Sequence, residues 1–230
     1  MMFLNRPGDL TLDLADGLNY FFPRRPFALD TVSCIGWGLE HQMPPGKVFL
    51  DIGANIGTWT LPYARSRKPS RVHSWEPQRS TRDCLLAGVY TNGLSDIVEV
   101  HPEALGSREQ VGMSALHVFT DEGGASSLIQ DVGFHWPWTR EEMVEVRTLD
   151  GYGFTDVGLV KVDVEGNELE VLRGGVGTLE GSDWPPVFFE AWQHDWYKEQ
   201  KQALFDFITG LGYSIHPLNE LPEDFLAVRS

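Results

Sequence analysis

Four residues at regular spacing in one short segment have the chemistry to hold a charged ligand: Asp51, Gly53, Asn55 and Gly57. The segment follows Val48-Phe49-Leu50, an apolar run typical of a buried parallel strand. The two glycines let the backbone approach a ligand closely, and the start of the next helix offers amide groups to a carboxylate. Asp51 could attract an ammonium group. We therefore predict a binding loop for a ligand with both groups, although an ordinary tight turn has a similar composition.

A second acid follows this loop at a sequence separation that is typical of a cofactor-binding residue. Glu76 lies 25 positions after Asp51, at the end of the predicted strand Arg71–Trp75. An acid at about this distance conventionally accepts the hydroxyl groups of a cofactor ribose, and we predict that role for Glu76; the alternative is a solvated carboxylate at a strand end. The loop lacks the GxGxxG pattern of dinucleotide-binding enzymes, which disfavours an NAD(P)-dependent or nucleotide-sugar-modifying enzyme.

These residues lie within alternating strand-like and helix-like segments. The alternation predicts the α/β class, with a doubly wound, mostly parallel seven-stranded sheet. Residues 213–218 and 225–228 are predicted to form an antiparallel terminal hairpin. Because a doubly wound sheet binds its ligand at the carboxyl ends of its strands, the acidic turns that follow these strands should converge on one rim.

The length of 230 residues favours a single domain. We predict a lead-in over residues 1–45 that packs on the core, followed by one domain over residues 46–230. Residues 106–143 are rich in Gly, Ser, Asp and aromatic side chains and are interpreted as a long insertion over the active face. Its role is left open.

The composition restricts partners and location. There are 18 basic and 33 acidic side chains, a net charge of −15, which repels nucleic acids and anionic membranes unless a local basic patch exists. The two cysteines, Cys34 and Cys84, show neither a disulfide framework nor zinc-ligand spacing. No secretory signal and no apolar stretch of roughly 18 residues is evident. We expect a cytoplasmic protein without a membrane or nucleic-acid partner.

Five segments together point to a known family. They are residues 49–57 (FLDIGANIG), 75–77 (WEP), 103–106 (EALG), 149–150 (LD) and 161–168 (KVDVEGNE). With them the chain resembles the FkbM-type methyltransferases, which belong to the class I, Rossmann-like group that uses S-adenosylmethionine. The similarity runs from about residue 47 to 228, and the last segment is the most specific. Asn167 departs from the pattern, since a small residue is common there.

The resemblance implies how the chain would work. Asp51, Gly53, Asn55, Gly57 and Glu76 would bind S-adenosylmethionine, with Glu103 and Ala104 near its adenine. A hydroxyl oxygen, often on a sugar or secondary metabolite, would receive the methyl group. We therefore predict an O-methyltransferase for a carbohydrate, a glycan or another small polyhydroxylated acceptor. The identity of the acceptor and the oligomeric state stay open, as does a non-catalytic module that only binds the donor.

Transfer to a hydroxyl also requires removal of its proton. The candidate bases, which the fourth and fifth sheet strands would bring beside the methyl group, are Asp163, Glu165, Glu190 and His194. Asp163 and Glu165 face the same side only if their strand continues through both; helix-start acids and an ordinary surface histidine are the alternatives. Glu168 and Glu170 are interpreted as helix-start acids, with Asn167 and Glu170 resembling a capping box.

Two further roles are possible for residues near this rim. The three carboxylates and the histidine among the candidate bases could hold Mg²⁺ or Ca²⁺, although no HxH or DxD pair supports a metal site. Five aromatic residues could stack on an acceptor or simply cover the crevice: Trp136, Trp138, Trp192, Trp196 and Tyr197.

Overall fold

A computed structural model describes residues 12–13, 18–21, 43–66, 68–119, 126–130, 138–218 and 223–229. The strands in these ranges are β1 (Leu12–Asp13), β2 (Asn19–Tyr20), β3 (Val48–Ile52), β4 (Arg71–Trp75), β5 (Val98–His101), β6 (Ala104–Leu105), β7 (Gly112–Val118), β8 (Ser126–Ser127), β9 (Arg140–Arg147), β10 (Val157–Val162), β11 (Val187–Glu190), β12 (Ser214–Pro217) and β13 (Asp224–Val228). The helices are α1 (Thr60–Ser66), α2 (Arg79–Thr91), α3 (Glu168–Arg173), α4 (Val176–Gly181) and α5 (Lys198–Gly210).

A seven-stranded sheet forms the centre, in the order β12-β13-β11-β10-β3-β4-β5. Five consecutive strands of this sheet, β11-β10-β3-β4-β5, are parallel to one another. At one side of this group, β13 pairs antiparallel with both β11 and β12. All six residues of β10 are buried, as expected for a strand covered on both faces. The mostly parallel sheet was predicted. The terminal hairpin stays a prediction, because residues 219–222 lie outside the described ranges.

Helices cover both faces of this sheet. Leu61 of α1 and Leu85 of α2 are buried in one core cluster, and Leu172 of α3 and Leu204 of α5 are buried in the other. The chain is helical from Arg79 onward, with Gln78 at the N-cap position of α2. The alternation of strands and helices thus produces the predicted layers.

A second sheet, in the order β6-β9-β7-β8, lies largely within the predicted insertion, although β6 precedes residue 106 and β9 continues past residue 143. No strand was predicted within this insertion, whereas β9 has eight residues and pairs antiparallel with β7 along seven of them. The alternation of polar and apolar residues is obscured here because Met113 and Met143 are apolar yet exposed. An exposed apolar side chain removes the signal on which strand prediction depends.

Part of the predicted lead-in packs on the core. Leu18 and Tyr20 are buried in the cluster that also contains Leu61, and the Asn92 side chain donates a hydrogen bond to the Asn19 carbonyl oxygen at 2.9 Å. Most of residues 1–45 lie outside the described ranges, so the domain boundaries stay a prediction. In the part of the chain that the structure describes, no helix has both the length and the apolar character needed to span a bilayer.

Candidate functional site

The loop after β3 depends on glycine at its first turn. Gly53 has a φ of +78°, and a Cβ atom there would lie 1.7 Å from the backbone oxygen of Asp163. Only glycine therefore allows the end of β3 to lie against the end of β10. The Gly53 and Ala54 amides donate to the carbonyl oxygen of Trp75, at 3.0 and 2.9 Å, which fixes the loop to the end of β4.

Glu76 faces this loop from the end of β4. Its Oε2 accepts from the Asn55 amide and its Oε1 from the Gln78 amide, both at 2.9 Å. The side chain is buried, and this burial raises its pKa to about 7 against the opposing effect of the two amides. Each carboxylate oxygen has further acceptor capacity, so Glu76 can still bind a ligand hydroxyl.

Glu76 lines a cleft at the carboxyl ends of β3, β4 and β10. The cleft encloses about 660 Å³ when the space at its open mouth is included. Seven of the residues predicted for binding or catalysis line it: Gly53, Asn55, Glu76, Glu103, Ala104, Asp163 and Glu165. Four of these are acids. Among the described residues that line the cleft, none is Lys, Arg or His.

Two of the predicted donor-binding residues lie elsewhere. Asp51 is fully buried behind the loop, where Thr60 Oγ1 donates to its Oδ2 at 2.6 Å and Lys161 Nζ lies 3.4 Å from its Oδ1. Gly57 packs against α2, and a Cβ atom there would lie 2.6 Å from Leu85 Cδ1. Neither lines the cleft, which differs from the expected direct contact with the ligand.

Lys161 connects the buried acid to the cleft. Its Nζ donates to the Gly53 carbonyl oxygen at 2.5 Å and lies 3.3 Å from Asp163 Oδ2. Burial by itself would lower the pKa of this ammonium group, but the Asp163 and Asp51 carboxylates raise it above its ordinary value. Lys161 therefore links β3 and β10 through ion pairs with Asp51 and Asp163. This role was not predicted from the sequence.

The acids after β10 and β11 lie close enough to interact. β10 ends at Val162, and Glu165 has a φ of +57°, so the strand does not continue through Asp163 and Glu165. Burial is the largest cause that raises the pKa of Glu165 and of Glu190 well above the ordinary value, and the charge of Asp163 is the next. Asp224, opposite Glu190 on β13, has a pKa raised to about 7 by burial.

Glu168 has a structural role in the turn after β10 that was not predicted from the sequence. This residue is buried at the start of α3; its Oε1 accepts from the Val164 and Gly166 amides, and its Oε2 accepts from the Tyr197 hydroxyl. Burial raises its pKa to about 7. An acid in a first helical turn suggests dipole stabilisation, and only the tertiary structure shows that it also holds the turn after β10.

The predicted capping box after β10 does not form. Asn167 precedes α3 as expected, but its side chain makes no capping hydrogen bond. It instead contacts the Leu105 carbonyl oxygen at 3.3 Å and the side chain of Gln110 at 3.0 Å. Glu170 pairs with Arg173 on the same helix. Asn167 thus joins the central sheet to the insertion.

His194 is exposed, stacks on Trp196 at a ring distance of 5.9 Å and does not line the cleft. Trp192 and Tyr197 are buried in a core cluster and do not line the cleft, whereas Trp196 is 38% exposed. Trp138 lies by His117 on the second sheet. Trp136 lies outside the described residues.

The described residues do not support the proposed Mg²⁺ or Ca²⁺ site. Within the described ranges, only one group of three or more His, Cys, Asp or Glu residues has its ligand atoms within 4.8 Å of one another. That group is His73, Glu99 and His101, none of which lines the cleft. The predicted carboxylates after β10 and β11 do not form such a set.

The methyltransferase FkbM domain matches residues 51–215, from the glycine loop to β12, which is well over half of the chain. The chain belongs to the FkbM methyltransferase family. The predicted resemblance is confirmed, and the NAD(P)-dependent and nucleotide-sugar alternatives are not supported.

Relatives in this family have different names and sources. A 31-O-demethyl-FK506 methyltransferase FkbM from Streptomyces tacrolimicus is 28% identical over 179 residues, which is 65% of this chain and 66% of that protein. Methyltransferase 1 from Beauveria bassiana is 30% identical over 160 residues, 61% of each chain. The chain therefore spans slightly less than two thirds of the length of these relatives.

Solved structures show a similar fold. A methyltransferase FkbM from Methylobacillus flagellatus KT has a TM-score of 0.53 and 18% identity, covering 80% of this chain and 44% of that one. A putative rRNA-methylase from Clostridium thermocellum has a TM-score of 0.51 and 12% identity, covering 88% and 95%. At these identities the likeness concerns the fold alone.

Proposed function

We infer that the chain is an S-adenosylmethionine-dependent O-methyltransferase that acts on a hydroxyl of a carbohydrate or another small polyhydroxylated acceptor. One observation carries the choice of donor. The cleft is lined by Glu76, Glu103, Asp163 and Glu165, with no basic side chain among its described lining residues. This lining attracts a cationic sulfonium and ammonium, and it repels the pyrophosphate of a dinucleotide or nucleotide sugar.

The lining also fits the rest of the donor. Glu76 provides a carboxylate for the two ribose hydroxyls, and the backbone at Gly53 and Asn55 lies open to the cleft. Trp75 and Leu105 with neighbouring apolar side chains form a wall suited to a flat purine, beside Ala104. Asp51 supports this arrangement from behind through Lys161, which is a positioning role.

The acids at the other end of the cleft are suited to proton removal. The bound donor supplies an electrophilic methyl group on a positively charged sulfur. Glu165 lines the cleft, and burial raises its pKa above the ordinary value, which makes its carboxylate a stronger base for a hydroxyl proton. Glu190 shares this environment, while Asp163 is held by Lys161. We assign the general base to Glu165, beside which Asp163 also lines the cleft. Glu190 does not line the cleft and interacts with Glu165 through its charge.

Two observations support a hydroxyl acceptor of the proposed class. The name of the Streptomyces relative places its methyl group on an oxygen, at position 31-O of its substrate. In this chain, the partly exposed Trp196 lies next to the buried Trp192, which packs beside Gly166 in the turn after Glu165. Aromatic faces of this kind suit the apolar side of a sugar ring.

The experiment follows a labelled methyl group. The purified chain is incubated with [methyl-¹³C]S-adenosylmethionine and a panel of sugars, polyols and amines, and NMR of the product distinguishes O-methyl from N-methyl carbons. We expect an O-methyl product. An N-methyl product would overturn the acceptor class. The absence of donor binding by titration calorimetry at high micromolar donor would overturn the function altogether.

Variants then separate catalysis from binding alone. Glu165→Gln should lower kcat by roughly 10²- to 10⁴-fold while donor affinity stays within a few-fold. The matched control Glu170→Gln removes an acid of the same type that pairs with Arg173 outside the cleft, and it should retain normal turnover. A chain that binds the donor normally but yields no labelled product with any acceptor would favour the non-catalytic module. His194→Ala tests the remaining candidate, whose exposure predicts little loss.

A further inference from the structure

Two histidines and a glutamate cluster on neighbouring strands outside the cleft. His73 on β4 is paired in register with Glu99 on β5, and His101 follows two residues later on the same side of β5. His73 Nδ1 lies 3.0 Å from His101 Nε2 and 3.7 Å from Glu99 Oε2. Three metal-binding groups thus point at one another from a rigid part of the sheet.

Aromatic rings hold both imidazoles in place. The His101 ring stacks on Trp75 at 4.7 Å with an interplanar angle of 17°, and the edge of Tyr152 contacts it at 5.2 Å. Phe154 packs on the His73 ring at 4.7 Å. Rings fixed in this way lose little rotational freedom on binding an ion, and an apolar surround strengthens the metal–ligand interaction.

We propose that His73, Glu99 and His101 bind a divalent transition metal ion of the zinc, cobalt and nickel class. Two imidazoles and one carboxylate suit these ions, whereas Mg²⁺ and Ca²⁺ prefer oxygen ligands throughout. At metal–nitrogen distances of about 2.05 Å, two nitrogens 3.0 Å apart span a ligand–metal–ligand angle of about 94°. An opening to roughly 3.3 Å gives the tetrahedral angle, so a few tenths of an ångström complete either geometry.

The site is independent of the proposed methyl transfer. None of its three residues lines the cleft, but Trp75 both lines the cleft and stacks on His101. An ion there would join β4 to β5 directly behind the wall assigned to the adenine. Its role is therefore to stabilise this edge of the sheet.

The test titrates Co²⁺ and Zn²⁺ into the full chain without a histidine tag, and follows the d–d absorption of Co²⁺ and the thermal midpoint with Zn²⁺. We expect one equivalent of Co²⁺ with nitrogen ligation and a rise in midpoint with Zn²⁺. His101→Phe keeps the stacking ring but removes the ligand, and Glu99→Gln changes only an exposed side chain. Each variant should weaken Co²⁺ binding more than about tenfold, because losing even a residue that only supports a metal ligand lowers the affinity by at least about this much.

The control is His117→Asn. His117 Nδ1 lies 3.3 Å from a carboxylate oxygen of Glu141 on the second sheet. Among the described residues, no third ligand group joins this histidine–glutamate pair. This variant should bind Co²⁺ as the unmodified chain does. If His101→Phe fails to fold, Glu99→Gln and His73→Asn decide the result. Binding that survives these substitutions, or no stoichiometric binding at all, would overturn the proposal in favour of a metal-free imidazole pair.

Discussion

Donor affinity should depend on pH through the ionisation of Glu76, the acid assigned to the ribose hydroxyls. Glu76 is 7% exposed in the cleft, and burial raises its pKa to about 7. The Gln78 and Asn55 amides, together with the charges of Lys161 and Arg82, oppose this rise. Lowering the pH from 8 to 6 therefore changes Glu76 from mostly ionised to mostly protonated before any ligand binds.

The sign and size of the effect follow from this pKa. Ribose hydroxyls donate hydrogen bonds to the ionised carboxylate, so the donor selects that form and its binding releases a proton. Affinity is thus fully present above the pKa and falls as the pH drops through it. At pH 6 about one molecule in eleven is ionised and at pH 8 about ten in eleven, so the dissociation constant should be roughly tenfold higher at pH 6.

Titration calorimetry with S-adenosylmethionine at pH 6, 7 and 8, in two buffers of different ionisation enthalpy, measures both affinity and proton release. Glu76→Gln should bind more weakly at pH 8 and show a much flatter pH dependence, which separates it from the other acids in the cleft. The control Glu141→Gln removes an exposed acid that does not line the cleft and should keep the profile. An unchanged wild-type affinity between pH 6 and 8, or a Glu76→Gln variant that keeps the tenfold change, would refute the reasoning.

Three further predictions concern stability and are measured by chemical denaturation. Gly53→Ala, with a φ of +78° and a contact of 1.7 Å, should lose about 3 kcal/mol or more, whereas Gly93→Ala, with a φ of +66° in open space, should lose only about 1 kcal/mol; equal losses would contradict the contact. Lys161→Met leaves the buried Asp51 carboxylate without its ion-pair partner and should lower the free energy of unfolding by about 3 to 5 kcal/mol. A loss below about 1 kcal/mol would show that this ion pair does not stabilise the contact between β3 and β10. Glu168 has a folded pKa of about 7, above its ordinary 4.5, so its ionisation destabilises the fold as the pH rises through this range. Glu168→Gln should therefore raise the free energy of unfolding at pH 8 by at most about 3 kcal/mol and not at pH 4, while the exposed Glu180→Gln should change neither.

The sheet was predictable because its signals are local. β3 and β10 are short apolar runs that end in Gly-containing turns, which identifies buried parallel strands without any knowledge of their neighbours. The second sheet was not predictable by the same means. Met113 and Met143 are exposed on it, and β7 buries consecutive rather than alternating residues at its end. The burial of its residues depends on the elements that pack against the sheet and not on a regular alternation of residue types.

The candidate site divides in the same way. Gly53, Asn55 and Glu76 could be selected from spacing alone, and the structure brings them to one cleft. Spacing also suggested ligand contact for Asp51, but the carboxylate lies behind the loop, because Lys161 and Thr60 enclose it. The direction in which a side chain at a strand end points depends on the neighbouring strand, which the sequence does not specify locally.

By itself, the sequence determined the layers, the glycine loop and the family, since each depends on residues close together in the chain. The tertiary structure decided which acids share an environment. Glu168 lies at an ordinary helix start but contacts Tyr197, and His73 lies next to His101. Strand register and helix packing set these distances between residues that are far apart in sequence. Ionisation and metal affinity depend on those distances and on burial, so they are properties of the fold.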